Sequence, residues 1–464
     1  MTSNLLYPLL GHDYPSAVRA KGSYVYDSTG KRYLDGCSGA IVMNIGHGVD
    51  EVTAAIRAQL EDITYVTRLQ FTNPWAEQLA TELVSLAPGE LDHAFFTNSG
   101  SEAIEAAVRL ALQYWQELGQ PQRTVLVSRD ASYHGATLAA IGLSGHPARR
   151  RPVQSMLPDW PRAAAANCYS CPFGKTRSSC ALDCAGSIEQ AILQAGPDRV
   201  AAVVIEPVVG ASGGAVPAPA GYLREVERIC RQHDVLLIAD EVITGLGRTG
   251  RWFGCDEEGV QPDLLVLGKG VSGGYAPLGA VLLTGRLHAA IKDGSAQFLL
   301  GHTYAANPLS TATGLAVLRY VREHDLPERA RTLGPVLAGA LRDVLSRRGI
   351  AADVRGRGLL LAVDFGPPGP PGPPEQPGRQ GQPGPRSQAE PGITAGALAA
   401  AARQAGLLLY PAGVTPVPQV VIVAPPLTIT PAELDQLVGL FAVALDSLTN
   451  RPNEPTRPME GAVR

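Results

Sequence analysis

An α/β fold is predicted, with a large domain on a mostly parallel sheet and a smaller α+β domain beside it. Two observations carry this. Five short runs are apolar at consecutive positions: HAFF (93–96), TVLVS (124–128), AAVVIE (201–206), VLLIAD (235–240) and LLVLG (264–268). Strands covered on both faces read this way. Helical stretches separate the runs, and that alternation is expected of a parallel sheet. Length agrees, because 464 residues exceed an ordinary domain of about 100–150.

Taken in order, residues 20–35 alternate and turn like a β-hairpin, with Ser28-Thr29-Gly30 in the bend. Residues 50–62 and 75–87 have helical apolar spacing. The sheet-forming part follows. After about residue 310 the chain is helical through the 340s, then gives a strand (358–365), a helix (394–405) and a short strand near 420. The expected organisation is an N-terminal segment (1–60) packing with the small domain, a large domain (61–325) and a small domain (326–450). Residues 366–392 are dominated by Pro and Gly, with a collagen-like period that soon fails. They are expected to be a disordered surface insert. The tail, 451–464, is expected to be frayed.

Composition is ordinary for a globular protein, at 45% hydrophobic and 18% charged, with a net charge of −4. No basic footprint for nucleic acid is visible. No apolar run reaches the roughly 18 residues of a membrane span. Met1 to Gly11 has no basic n-region, so no signal peptide is read and a reducing cytoplasm is the expected compartment.

Three buried runs end on ionisable residues: Glu206, Asp240 and, just past LLVLG, Lys269. Ligands of open α/β sheets sit at the carboxyl ends of strands. HAFF leads into Thr97-Asn98-Ser99-Gly100-Ser101 and a long helical stretch, which would offer free N–H groups to a phosphate. TVLVS leads into Ser132-Tyr133-His134-Gly135, where an aromatic ring could stack on a flat ligand. Each feature alone also has a structural use: a buried ion pair, an N-cap, a packing tyrosine. Together they describe a phosphorylated pyridine aldehyde held as a Schiff base on Lys269, with a carboxylate at the ring nitrogen. The GxGxxG at 245–250 is not followed by a helical pattern, which argues against a dinucleotide site.

The blocks DEVITGLGRTGRWF (240–253) and PDLLVLGKGVSGGYAPLGA (262–280) resemble the signature of class III (ω-type) aminotransferases, pyridoxal 5′-phosphate (PLP) enzymes of fold type I. NSGSEA (98–103), YHG (133–135), EP (206–207), GHTYAANP (301–308), VRGRGLLLAV (354–363) and APPLTIT (424–430) resemble further blocks in the family's order. The resemblance implies a PLP-dependent transaminase working by a ping-pong mechanism. Lys269 would be the Schiff-base lysine, Asp240 the pyridinium partner and Glu206 a glutamate near the cofactor. Ser99, Gly100 and Ser101 would hold the phosphate. Tyr133 and Val242 would flank the ring, with His134 and Ile243 beside it. Thr303 would reach the phosphate of a neighbouring subunit, which implies a homodimer. Racemase, epimerase or decarboxylase chemistry would use the same lysine, and a non-catalytic scaffold on this fold is a further alternative.

Departures from the family bear on substrate. Glutamate-using members resemble one another in an arginine just before APPL and a glutamate paired with it. Ile422 and Ala211 stand there, so both halves of the pair are missing. Ala136 replaces another carboxylate-binding arginine, and residues 413–421 offer no mobile one. Ile243 replaces a glutamine at the ring hydroxyl. The expectation is a non-standard or apolar amine, or a biosynthetic intermediate, with Arg68 a possible substitute clamp. Among seven cysteines, Cys168, Cys171, Cys180 and Cys184 crowd into 167–184. They could bind metal, remain redox-active thiols or form disulfides, and no metal site is assigned.

Overall fold

The computed structural model describes residues 4–366, 392–415 and 418–449. The Pro/Gly-rich segment and the tail therefore fall almost entirely outside the described residues. In chain order the first strands are β1 (Ala17–Lys21), β2 (Tyr24–Asp27) and β3 (Arg32–Asp35). The β2–β3 bend is closed by Asp27, whose Oδ1 accepts from the backbone N–H of Thr29 (2.9 Å) and Lys31 (3.1 Å). An Asp side chain that satisfies turn donors is why the hairpin forms here.

The large sheet comprises β4 (Leu91–Thr97), β5 (Val125–Arg129), β6 (Arg162–Ala163), β7 (Val200–Ile205), β10 (Leu236–Asp240), β11 (Leu264–Leu267) and β12 (Gly279–Thr284). Its order is β4-β12-β11-β10-β7-β5-β6. The pairs β11–β10, β10–β7, β7–β5 and β5–β6 are parallel, while β12 runs antiparallel to both β11 and β4. In the chain between β7 and β10, β8 (Val208–Val209) and β9 (Val216–Pro217) form a separate short ribbon. β12 is not among the strands expected from the sequence. Its GAVLLT is buried throughout, so it reads like its parallel neighbours and carries no mark of direction.

Alternate residues of each strand enter different cores, as the two-residue side-chain period requires. Leu236 and Ile238 pack with Ala103, Ala107 and Leu110 of the helix Gly100–Glu117. Leu237 and Ala239 pack with Ile188 and Val226 of the helices Asp183–Ala195 and Tyr222–Gln232. Leu265 and Leu267 face Leu79 and Leu318, on helices Pro74–Leu86 and Pro308–Glu323. Helices on both faces leave only the ends of the strands open to a ligand.

A separate core surrounds β13 (Asp353–Arg357), β14 (Leu360–Asp364), β15 (Leu407–Leu408), β16 (Tyr410–Ala412) and β17 (Val420–Val423), with helices Leu326–Arg347, Ala395–Ala405 and Pro431–Thr449. β15 pairs with β3, so the N-terminal hairpin shares a sheet with this part of the chain. The last helix was not read from sequence. It is fastened by Arg348, whose Nε and Nη2 meet Asp446 Oδ1 and Oδ2 at 2.6 and 2.7 Å in a buried, bidentate pair.

Candidate active site

Parallel direction puts the carboxyl ends of β4, β5, β7, β10 and β11 on one edge of the sheet. Each is followed by a residue singled out from sequence: Ser99–Ser101, Tyr133–His134, Glu206, Asp240 (the last residue of β10) and Lys269.

Asp240 is buried and held in a fixed direction. His134 Nδ1 lies 2.7 Å from Asp240 Oδ2, and Asp240 Oδ1 accepts from the Val242 N–H at 3.1 Å. His134 is itself buried, and its backbone N–H donates to Ser144 Oγ at 2.8 Å. Its Nε2 is buried and has no protein partner. Glu206 accepts from the Tyr133 N–H (3.1 Å) and the Gly210 N–H (2.9 Å). Its backbone oxygen takes Arg129 Nη2 at 2.6 Å. Burial pushes the Glu206 carboxyl upward, Asp240 adds to this, and His134 and Arg129 oppose it. Burial lowers the Lys269 amine, with Asp240 and then Glu206 drawing it partly back. Both shifts follow from charge removed from water.

Lys269 lies on a tight turn, Lys269–Val271, with φ +42. That left-handed conformation is costly for a residue with a β-carbon. The turn sits directly on the start of the long helix: a Cβ at Gly268 would lie 3.2 Å from Gly100 Cα, and one at Gly100 would lie 3.0 Å from Val242 Cγ1. Glycine at both positions lets lysine turn, cradle and Val242 touch.

Ser99 is the helix N-cap, accepting from the Glu102 N–H at 3.2 Å, while the Ala103 N–H bonds Ser99 O. The N–H groups of Gly100 and Ser101 thus precede the first intrahelical bonds. Ser101 Oγ accepts from the Ala136 N–H at 3.1 Å, tying the cradle to the Tyr133 loop. The Tyr133 ring carries the Arg149 guanidinium 4.6 Å from its centroid. Arg149, Ser144 and Arg129 were not found from sequence. Arg129 ends β5, and the rule that led to Asp240 applies to it equally.

The remaining residues make contacts of their own, with Ile243 beside the Glu206 carboxylate. Ile243 packs on Gly210, where a Cβ would overlap its Cδ1. Ile422 is fully buried on β17 among Ile41, Val208, Ala362 and Ala424, with Ile243 and Tyr410 against them. The Ala211 carbonyl accepts from the Gly413 N–H at 2.9 Å. Arg68 is exposed, bonds Leu300 O and lies over the Phe95 ring at 4.9 Å; no contact joins it to Asp240 or Lys269. Thr303 is exposed, and its carbonyl accepts the Tyr65 hydroxyl at 3.0 Å. All four cysteines of 167–184 line one cavity, but among the described residues no group of three or more Cys, His, Asp or Glu is placed to hold a metal ion.

A family profile described as Aminotransferase class-III matches residues 12–445. The chain belongs to the class III aminotransferases. This class III aminotransferase is 41% identical over 445 residues to the aminotransferase YodT of Bacillus subtilis, covering 95% of this chain and 97% of that one. Its fold superposes on an (S)-enantioselective ω-transaminase from Thermomicrobium roseum with a TM-score of 0.85 at 34% identity, covering 96% of each chain. The ω-transaminase from Pseudomonas jessenii in complex with PMP matches at TM-score 0.82 and 30% identity, covering 94% of this chain and 93% of that one. The aminotransferase is PLP-dependent, of fold type I, and transfers an amino group between an amine or amino acid and a carbonyl acceptor. Its residues fit that cofactor: a buried fixed carboxylate, an amine disfavoured as a cation, and N–H donors at a helix start.

Two outcomes follow from this geometry. His134→Phe removes a hydrogen bond to a charged group, worth about 1.5–3 kcal/mol. Absorbance titration should show cofactor affinity falling roughly 10–100-fold; unchanged affinity would contradict an orienting role. The Lys269 amine is lowered in the folded chain, so the unfolded state binds more protons between the folded value and the ordinary one. Stability of the apoprotein therefore rises with pH across that window. Lys269→Met, which has no such proton, should be more stable than wild type below the window, with the gap closing as pH rises through it. Denaturant unfolding at several pH values reads this, and parallel curves would contradict it.

Proposed function

We propose that Lys269 is the residue that carries the cofactor and moves the reacting proton, on an amine substrate with an apolar substituent. The observation that supports this most is the delivery of Lys269, Asp240 and Glu206 by three adjacent strands to one buried edge. When bound, PLP supplies an aldehyde that condenses with amines and a ring that accepts electrons from the amine carbon. Lys269 Nζ, whose cationic form burial disfavours, would remove the proton from that carbon and return one to the former aldehyde carbon. Asp240, fixed by His134, favours a protonated ring nitrogen. The N–H groups of Gly100 and Ser101, with Ser99 capping the helix, would receive the phosphate. Tyr133 and Val242 would flank the ring.

The same lysine would serve racemisation or decarboxylation. The relatives reported above are transaminases, and amino transfer is the reading adopted. A homodimer completes the site in this reading, with Thr303 serving the neighbouring subunit. Leu69, Phe71, Leu299 and Tyr304 are largely exposed. An exposed apolar surface beside Thr303 suits a partner subunit.

Substrate class rests on what surrounds Ile422. An arginine there would be a buried charge without a partner, because Ala211 replaces the glutamate that would pair with it. The chain instead fills this region with Ile41, Ile243 and Ile422. The visible spectrum of the holoenzyme, followed after mixing with amines and no acceptor, tests this. An apolar aryl or alkyl amine should convert the cofactor band lastingly, and at least 10-fold faster than glutamate at equal concentration, about the effect of 1.4 kcal/mol. Glutamate converting as fast would overturn the apolar reading. A band that shifts and returns, with exchange of the α-proton in heavy water, would favour racemisation.

A further inference from the structure

The mechanism above leaves the segment between β6 and the helix Asp183–Ala195 unused. Cys168, Cys171, Cys180 and Cys184 all line one cavity of about 20 Å³ there. All four are free thiols, and they differ in access: Cys168 is exposed, Cys171 and Cys180 are half-buried, and Cys184 is buried. Cys180 Sγ donates to Asp183 Oδ2 at 3.4 Å, and Asp183 is also bound by Lys175 at 2.7 Å. Burial pushes the Cys184 thiol up to about 11, which removes it from thiolate chemistry at neutral pH. Burial raises Cys168 as well, but Arg177 opposes this. Access rather than acidity marks the CxxC pair, since Cys168 is the one exposed thiol of these four.

Tyr169 lies inside that pair. Its hydroxyl donates to Gly366 O at 2.7 Å, and its ring faces Arg355 with the guanidinium 5.9 Å from the centroid. Arg355 donates to Gly213 O and Gly214 O, both at 2.8 Å. The Gly214 N–H bonds Gly210 O at 2.8 Å, and the Gly210 N–H bonds Glu206 Oε2 at 2.9 Å. A continuous chain of contacts thus runs from the CxxC to the carboxylate at the active site.

We propose that Cys168 and Cys171 form a dithiol–disulfide site, oxidised by a low-molecular-weight disulfide, whose state reaches Glu206 through Tyr169 and Arg355. The Cys168 thiolate attacks one sulfur of the small disulfide, forming a mixed disulfide and releasing one small thiolate. The Cys171 thiolate then attacks the Cys168 sulfur, expelling the second small thiolate and closing the bridge. Two electrons pass from the cysteine pair to the small disulfide, and the two cysteine protons go to the released thiolates.

The test uses full-length holoenzyme treated with excess oxidised glutathione, then alkylated and cut with trypsin without reduction. Cleavage after Arg162 and Lys175 places Cys168 and Cys171 together in residues 163–175 and leaves Cys180 and Cys184 in another peptide. The expected product is peptide 163–175 lighter by two hydrogens and unalkylated, with Cys180 and Cys184 alkylated. Turnover should change by about 2–30-fold on oxidation, the range of coupling through a contact network. It should recover with dithiothreitol, and should not change in Tyr169→Ala. Cys171→Ser should stop at a glutathione adduct on Cys168. A cross-link between the two peptides, a lasting adduct on wild-type Cys168, or thiols shielded until a bound metal ion is chelated would overturn the site. A complete bridge with unaltered turnover would overturn the coupling.

Discussion

The contact between His134 Nδ1 and Asp240 Oδ2, 2.7 Å in the interior, is the interaction on which the site depends. A carboxylate removed from water must be paired and hydrogen-bonded or it takes up a proton. Here the pairing comes from a histidine that arrives after β5, two strand positions away across β7. The parallel pairing of β5, β7 and β10 brings those two ends to the same edge of the sheet. The helices that bury both faces of the sheet supply the low-dielectric surroundings that make the pair matter. Those surroundings also lower the Lys269 amine and raise the Glu206 carboxyl.

Function is set against stability in this arrangement. Lys269 has a left-handed backbone and an amine that loses hydration on folding. Glu206 is held by two backbone N–H groups but resists ionisation beside Asp240. Neither feature helps the chain fold. The cores on the two faces of the sheet, and the separate core around β14 and β17, hold these unfavourable groups in place.

Much of this was legible in the sequence because burial on both faces leaves a mark. The runs ending at Asp240 and Glu206 became β10 and β7, and Lys269 follows β11 after Gly268. β12 carries the same mark but was not among the expected runs, and its antiparallel direction leaves no mark at all. Contacts between distant segments are also invisible: nothing in the text YHG says that the histidine meets Asp240, or that Arg149 lies over Tyr133. The substrate side is less legible still. Ile422 and Ile243 could be read as replacements for polar residues. That Ile243 leans on Gly210, and that Ile422 is sealed in a core, depend on packing between β17 and the loop after β10.

Which lysine holds the cofactor is the most direct test of the account. Five lysines are available: Lys21, Lys31, Lys175, Lys269 and Lys292. Borohydride reduction of the holoenzyme, followed by peptide mapping, fixes the cofactor to the side chain that carries it. A single labelled peptide containing Lys269 is expected, with no label after Lys269→Ala. Label on Lys175, Lys292 or any other lysine in the folded wild-type enzyme would contradict it.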